Sequence, residues 1–157
     1  MIDVFSQAVR SHIMRSIKSK DTKPELLIRK ALHARGLRFR LHVKSLPGRP
    51  DLVLPRYKAV IFVNGCFWHG HRCRLSNTPK TRTTFWLGKI STNMNRDRYT
   101  HGQLLDAGWR LAVVWECALI GRHRMPLEDC IDQLMEWIKD PRALGIELEG
   151  VPGKLAT

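Results

Sequence analysis

A chain of 157 residues can bury one hydrophobic core and is too short for two comfortable ones, so a single domain spanning 1–157 is expected. Lys and Arg outnumber Asp and Glu by 27 to 14, and the excess is confined to residues 1–100, since residues 101–157 carry 6 basic and 9 acidic groups. A bias restricted to two thirds of the chain points to a polyanionic partner such as nucleic acid, met by one face. No apolar run is long enough to cross a bilayer, and the basic residues are spread through a folded pattern instead of sitting on one terminal helix, so no membrane partner is expected.

The first 20 residues alternate apolar and basic side chains without the continuous apolar core of a secretory signal, and Asp3 and Asp21 count against a mitochondrial presequence. A soluble intracellular protein is expected, in which four cysteines argue against a disulfide framework. Residues 6–19 read as a helix with Ala8, Ile13 and Ile17 apolar, and residues 1–20 form an N-terminal arm. Thr22-Lys23-Pro24-Glu25 has the form of a capping box, opening a helix through Leu26, Leu27, Ala31 and Leu32 that stops at Gly36. Strict alternation over Leu37–Val43 predicts a half-buried strand, and Ser45–Pro50 a turn. Asp51–Leu54 and the fully apolar Ala59–Val63 follow as strands, joined closely enough to make an antiparallel meander. Residues 83–107 read as a long helix ended by Gly108, Trp109–Trp115 as a buried strand, and 127–139 as an amphipathic helix. Cys130 falls within its apolar pattern and is assigned to the core. Residues 141–157 read as an irregular tail. The order α-β-β-β-α-β-α predicts an α/β sandwich around a mixed sheet.

Chemistry concentrates in Asn64-Gly65-Cys66-Phe67-Trp68-His69-Gly70-His71-Arg72-Cys73, directly after the most apolar strand. Cys66, His71 and Cys73 have the softness and spacing of zinc ligands. Cys117, just past the strand expected to lie beside 59–63, is the best fourth member, closing a structural Cys₃His shell. His69 can be read as an alternative fourth ligand, as a surface histidine, or as a catalytic base, since an imidazole is the side chain suited to proton transfer near neutrality. Phe67 and Trp68, adjacent in a loop beside a basic surface, are candidates to wedge between base pairs, and Trp86 either joins them or covers the core. Asp51 opens a strand, where a carboxylate can bind magnesium, although a lone Asp after a turn is ordinarily a turn residue.

These segments together resemble the very short patch repair (Vsr) DNA mismatch endonucleases, relatives of the PD-(D/E)xK restriction-endonuclease-like fold. The resemblance runs through Met14-Arg15, Asp21-Thr22 to Glu25, Ser45-Leu46-Pro47-Gly48-Arg49-Pro50-Asp51, and Gly65-Cys66-Phe67-Trp68-His69 with His71 and Cys73. It continues in Thr81-Arg82, Phe85-Trp86-Leu87, Lys89-Ile90, Asn93, Arg96-Asp97-Arg98, Gly108-Trp109-Arg110 and Val114 to Leu119. It implies a three-layer α/β sandwich with a structural Zn²⁺ and a catalytic Mg²⁺, and cleavage 5′ of the thymine in a T·G mismatch left by 5-methylcytosine deamination. By this resemblance Asp51 and the Val63 backbone carbonyl would hold Mg²⁺, His69 would activate water and Glu25 would order metal-bound water. Cys66, His71, Cys73 and Cys117 would hold zinc. Phe67, Trp68 and Trp86 would enter the duplex from the major groove and Met14 from the minor-groove side, with Lys89 and Asn93 contacting DNA.

A monomer in the bacterial cytoplasm at the nucleoid is implied, linked through its substrate to a cytosine-5 methyltransferase and to general mismatch-repair proteins. Two positions depart from the family pattern: Val63 stands where threonine is usual, and Asn64 where a histidine assists the reaction. A carbonyl ligand needs no particular side chain, but Asn64 cannot serve as a base, so slower or altered cleavage is expected. The competing readings are a same-fold endonuclease with broader mismatch or site specificity, and a non-catalytic zinc-stabilised DNA-binding module.

Overall fold

The computed structural model describes residues 20–73 and 79–151; the helix expected over 6–19, with Met14, lies outside them. Helix α1 (Lys23–Ala34) starts as the capping signal predicts, with the Thr22 hydroxyl accepting the Glu25 backbone N–H at 3.4 Å and Pro24 in the first turn. The Glu25 carboxylate reaches one residue further back than a capping box requires, accepting the Asp21 N–H at 2.8 Å. Ile28 and Leu32, one turn apart, are fully buried.

The strand expected over 37–43 is reduced to β1 (Arg40–Leu41). Its two ends serve other purposes: the Leu37 N–H closes the end of α1 on Leu32 O at 3.1 Å, and His42 bends the chain with φ +48°, which breaks the extended ladder. Strands β2 (Leu52–Leu54) and β3 (Ala59–Asn64) are joined by a single 3₁₀ turn, Pro55–Tyr57, and complete the predicted antiparallel meander. Helix α2 (Thr83–Asp106) then returns the chain so that β4 (Arg110–Trp115) lies parallel to β3, pairing Ala59 with Arg110 through Asn64 with Trp115. A short α3 (Glu116–Leu119) and the amphipathic α4 (Leu127–Lys139) follow.

The expected irregular tail is corrected in part. Residues Gly145–Leu148 form β5, parallel to β4, so the mixed sheet has five strands in the order β1-β2-β3-β4-β5. Four residues that begin with a glycine, with only Leu148 buried, give too weak an alternation to be read as a strand beforehand.

Pleat alternation divides the core. Leu52, Leu54, Ile61, Ala112 and Val114 face α1, α3 and α4 with Ile28, Leu32, Ala118, Leu134 and Ile138. Val53, Val60, Phe62, Leu111 and Val113 face the opposite side, where α2 contributes Leu104. Helices on both faces of the mixed sheet make the three-layer sandwich. Cys130 is fully buried in the first core, as expected.

Arg110 pins the end of the sheet remote from the Cys- and His-rich loop. It is 5% exposed, and its guanidinium donates to the carbonyls of Tyr57 at 3.0 Å, Trp137 at 2.9 Å, Ile138 at 2.7 Å, Asp140 at 3.1 Å and Ala143 at 3.4 Å. It also lies 4.8 Å from the Trp137 ring centroid. The planar fork thus satisfies the terminal carbonyls of α4 that helix geometry leaves open. An ammonium cannot span five acceptors, so Arg110→Lys is expected to lower unfolding stability by about 2–4 kcal/mol in urea titration. A change below about 0.5 kcal/mol would show that the carbonyls find other partners.

Candidate active site and metal cluster

Antiparallel pairing of β2 with β3 sets Asp51 beside the last residues of β3. Its Oδ2 accepts the Val63 N–H at 2.7 Å, and the two residues open onto one cleft of about 620 Å³ with Asn64, His69 and Asp97. Lys44, Arg49 and Arg96 also line this cleft and make its rim basic. Burial pushes the Asp51 carboxyl up to about 6, opposed by the Val63 N–H; nearby Glu25 raises it further, while His42 and His69 pull it down.

Two imidazole–carboxylate pairs flank Asp51. His69 Nδ1 lies 2.5 Å from Asp97 Oδ2, which keeps the ring proton on Nδ1 and leaves Nε2 as the basic nitrogen. Glu25, 2% exposed, lies behind the cleft: its Oε1 is 2.8 Å from His42 Nε2, and His42 Nδ1 is 3.8 Å from Asp51 Oδ1. The short His42–Glu25 approach is out of line for a hydrogen bond, since Nε2 is buried without a hydrogen-bond partner. Arg29 shares the cluster, 2.8 Å from Asp21 and 3.5 Å from Glu25.

Beside the cleft, Cys66, His71, Cys73 and Cys117 bring four ligand atoms within 4.8 Å of one another, a set that can hold a metal ion. The parallel register explains the meeting: Asn64 pairs with Trp115, so Cys66 and Cys117 each follow two residues past the same rung. Burial raises both of their thiols, so a metal binding there would displace protons. Borderline nitrogen and soft sulfur donors in this ratio suit zinc. His69 is turned to Asp97, leaving the cluster its four other members. The loop closes on α2 at Gly70, whose φ of +66° and missing Cβ are both needed: a Cβ there would stand 2.5 Å from Met94 Sδ and 2.9 Å from Ile90 Cγ2.

Phe67, Trp68 and Trp86 converge, with ring centroids 5.0 Å apart for Phe67–Trp68, 5.7 Å for Phe67–Trp86 and 5.9 Å for Trp68–Trp86. All three stay partly exposed. Lys89 Nζ stands 5.7 Å from the Trp68 ring, and the Asn93 side chain donates to the Trp68 carbonyl at 2.9 Å, fixing the loop to α2. Met14 lies outside the described residues.

Sequence reading assigned no role to Asp97 or His42. Asp97 was within reach: it follows Asn93 by one turn, and 86, 89, 93 and 97 share the face of α2 that meets the loop. His42 gave no signal, because its reach depends on a left-handed bend inside what reads as a strand.

A mixed five-stranded sheet carrying an acid–imidazole cleft at one end, with a Cys₃His cluster beside it, defines a restriction-endonuclease-like α/β protein. A family model described as DNA mismatch endonuclease Vsr matches residues 2–75. The chain is 49% identical over 138 residues to the DNA mismatch endonuclease Vsr of Escherichia coli (strain K12), covering 88% of both chains. It is 49% identical over 134 residues to the type II nicking enzyme V.XorIIP of Xanthomonas oryzae pv. oryzae, covering 84% of this chain and 98% of that one. With the type II nicking enzyme V.NmeAIP of Neisseria meningitidis serogroup A it shares 43% identity over 140 residues, 89% of this chain and 99% of the other. The chain belongs to the DNA mismatch endonuclease Vsr family.

The Asp51 environment predicts a pH effect. A carboxyl raised to about 6 in the folded protein binds its proton more tightly there than in the unfolded chain, so its contribution to stability is full below pH 3.8 and is lost as pH rises through about 6. Asp51→Asn keeps an acceptor for the Val63 N–H and removes the charge. Without divalent cations this variant should exceed the parent in unfolding free energy by on the order of 1–3 kcal/mol at pH 8, the gap closing near pH 4. Denaturant titrations across that range check it, and a pH-independent gap would remove burial as its cause.

Proposed function

We propose that the protein is a magnesium-dependent endonuclease that nicks one strand of duplex DNA 5′ of the thymine in a T·G mismatch, acting as a monomer through one endonuclease domain. The observation that carries the reading is the convergence of Asp51, Val63 and His69 on one basic-rimmed cleft beside three clustered aromatic rings. Carboxylate and carbonyl oxygens at Asp51 and Val63 are hard donors that fit Mg²⁺, which when bound supplies charge to polarise the scissile phosphate. His69 Nε2 takes the proton of the attacking water while Asp97 holds the ring and stabilises its protonated form. Glu25 orders water on the Asp51 side, its position held by His42 and Arg29. Lys44, Arg49 and Arg96 receive the phosphate backbone.

Cys66, His71, Cys73 and Cys117 hold a structural zinc that fixes the loop between β3 and α2. Phe67, Trp68 and Trp86 insert beside the mismatch, supported by Lys89 and Asn93, with Met14 approaching from the other groove. A mismatched step is less costly to unstack than a paired one, so insertion itself discriminates. The cellular setting that goes with this chemistry is the bacterial cytoplasm at the nucleoid, downstream of a cytosine-5 methyltransferase and together with general mismatch-repair factors.

One observation favours a second reading, of broader mismatch or site tolerance. Asn64, which lines the cleft and is 5% exposed, offers hydrogen bonds where a basic imidazole would otherwise assist.

Duplexes carrying each single mismatch, incubated with Mg²⁺, separate these readings. Nicking concentrated on T·G supports the first, even nicking across mismatches supports the second, and no nicking of any duplex leaves a binding module only. His69→Ala should slow nicking by about 10²–10⁴-fold. Trp68→Ala should weaken binding to the mismatched duplex more than to the paired one, and equal losses on both would exclude the wedge.

A further inference from the structure

We propose that β5 and the turn after it form the outer shell of the Cys₃His cluster, with Glu149 as the positioning residue for His71 and the Gly150 backbone holding the sulfur of Cys117. The inference rests on the reading that the cluster holds zinc, and it gives the C-terminal segment a role that its tail-like sequence does not announce.

His71 faces two ways. Its Nδ1 lies 3.6 Å from Cys117 Sγ, inside the cluster, and its Nε2 lies 2.7 Å from Glu149 Oε2, outside it. A carboxylate that takes the Nε2 proton in a hydrogen bond leaves the Nδ1 lone pair toward the sulfurs, which is the tautomer a metal ligand needs. The plane of the ring is set as well: His71 stacks on Trp115 with centroids 4.2 Å apart at 13°, and the Trp115 indole N–H donates to Glu147 on β5. Both rings therefore depend on acidic side chains from the C-terminal segment.

Gly150 supplies the second hold. Its backbone N–H donates to Cys117 Sγ at 3.3 Å, a bond that offsets negative charge on a ligating thiolate. The approach is close enough to exclude any side chain, because a Cβ at Gly150 would stand 2.6 Å from Cys117 O and 2.8 Å from His123 O. The neighbouring Val151 N–H donates to His123 O at 2.8 Å and fixes the turn. Register delivers these groups to the cluster: Val114 pairs with Leu148, so Glu149 and Gly150 arrive level with Trp115 and the residues after it. Charge pairing, ring stacking and an N–H···S bond thus converge from one segment onto two of the four ligands.

The test uses the full chain after its zinc content has been measured by atomic emission. Zinc release to a chromogenic chelator, and the absorption bands of the Co²⁺-substituted protein, are compared for wild type, Glu149→Gln, Glu149→Ala, Gly150→Ala and a control, Glu128→Ala, which changes only an exposed ion pair to Arg35. Glu149→Ala should release zinc about 10–100-fold faster and shift the cobalt bands. Glu149→Gln, whose amide oxygen still accepts the Nε2 proton, should stay near wild type, and Gly150→Ala should also release zinc faster. Release and cobalt bands in Glu149→Ala that match the control would overturn the outer shell, as would equal acceleration by Glu149→Gln and Glu149→Ala. Absence of zinc from the wild-type protein would instead overturn the metal reading, and the outer shell with it.

Discussion

The parallel pairing of β3 with β4 is the constraint from which the site follows. Two parallel strands in register end at the same edge, so the residues leaving Asn64 and Trp115 emerge side by side although they are fifty-one positions apart in the chain. One exit supplies Cys66 and then the loop with His69, His71 and Cys73; the other supplies Cys117. The antiparallel β2 brings Asp51 to the same edge from the opposite direction and ties it to the Val63 N–H. Slipping either pairing by one residue would exchange the side chains packed on α1, α3 and α4 for those packed on α2 and separate cluster from cleft, so the packing of the two cores that fixes the register also fixes the chemistry.

Burial raises the Asp51 carboxyl and the Cys66 and Cys117 thiols alike, so what keeps the chemistry of cleft and cluster apart is the nature of their donor atoms. Around Asp51 the partners are oxygen and imidazole groups beneath a basic rim, donors of the kind that suit hard cations. Around Cys66 and Cys117 the surroundings are dry enough to raise both thiols, and only a softer ion recovers the cost of ionising them. His69 and His71 sit two positions apart in one loop yet belong to different environments, one paired with Asp97 and the other with Glu149. Each acidic partner assigns its histidine.

Most of the fold was legible because its elements carry strong local signals: Thr22 through Glu25 for the start of α1, short apolar runs for β2 to β4, and Cys130, Ile131, Leu134, Trp137 and Ile138 for the buried face of α4. Three features were not. His42 breaks β1 by a backbone conformation that pattern does not encode. Strand β5 is stabilised by pairing with β4 rather than by its own four residues. Arg110 reads as one basic residue among many, and only the convergence of five carbonyls shows why it is buried. In the site, the Cys and His spacing was readable within the loop and Asp97 was within reach one turn past Asn93, whereas His42 and Glu149 come from distant elements and needed three dimensions.

The self-packing of Phe67, Trp68 and Trp86 has a consequence for how a duplex would be engaged. In the free protein the rings shelter one another from water, and Asn93 anchors the backbone at Trp68 while the indole remains half-exposed. The proposed insertion would trade ring–ring contacts for ring–base contacts of the same chemical kind, so little apolar surface would have to lie bare beforehand. Encounter and commitment then answer to different variables. On that reading, ionic strength would govern how often the basic rim meets DNA, and the looseness of a given base step would govern whether the rings part.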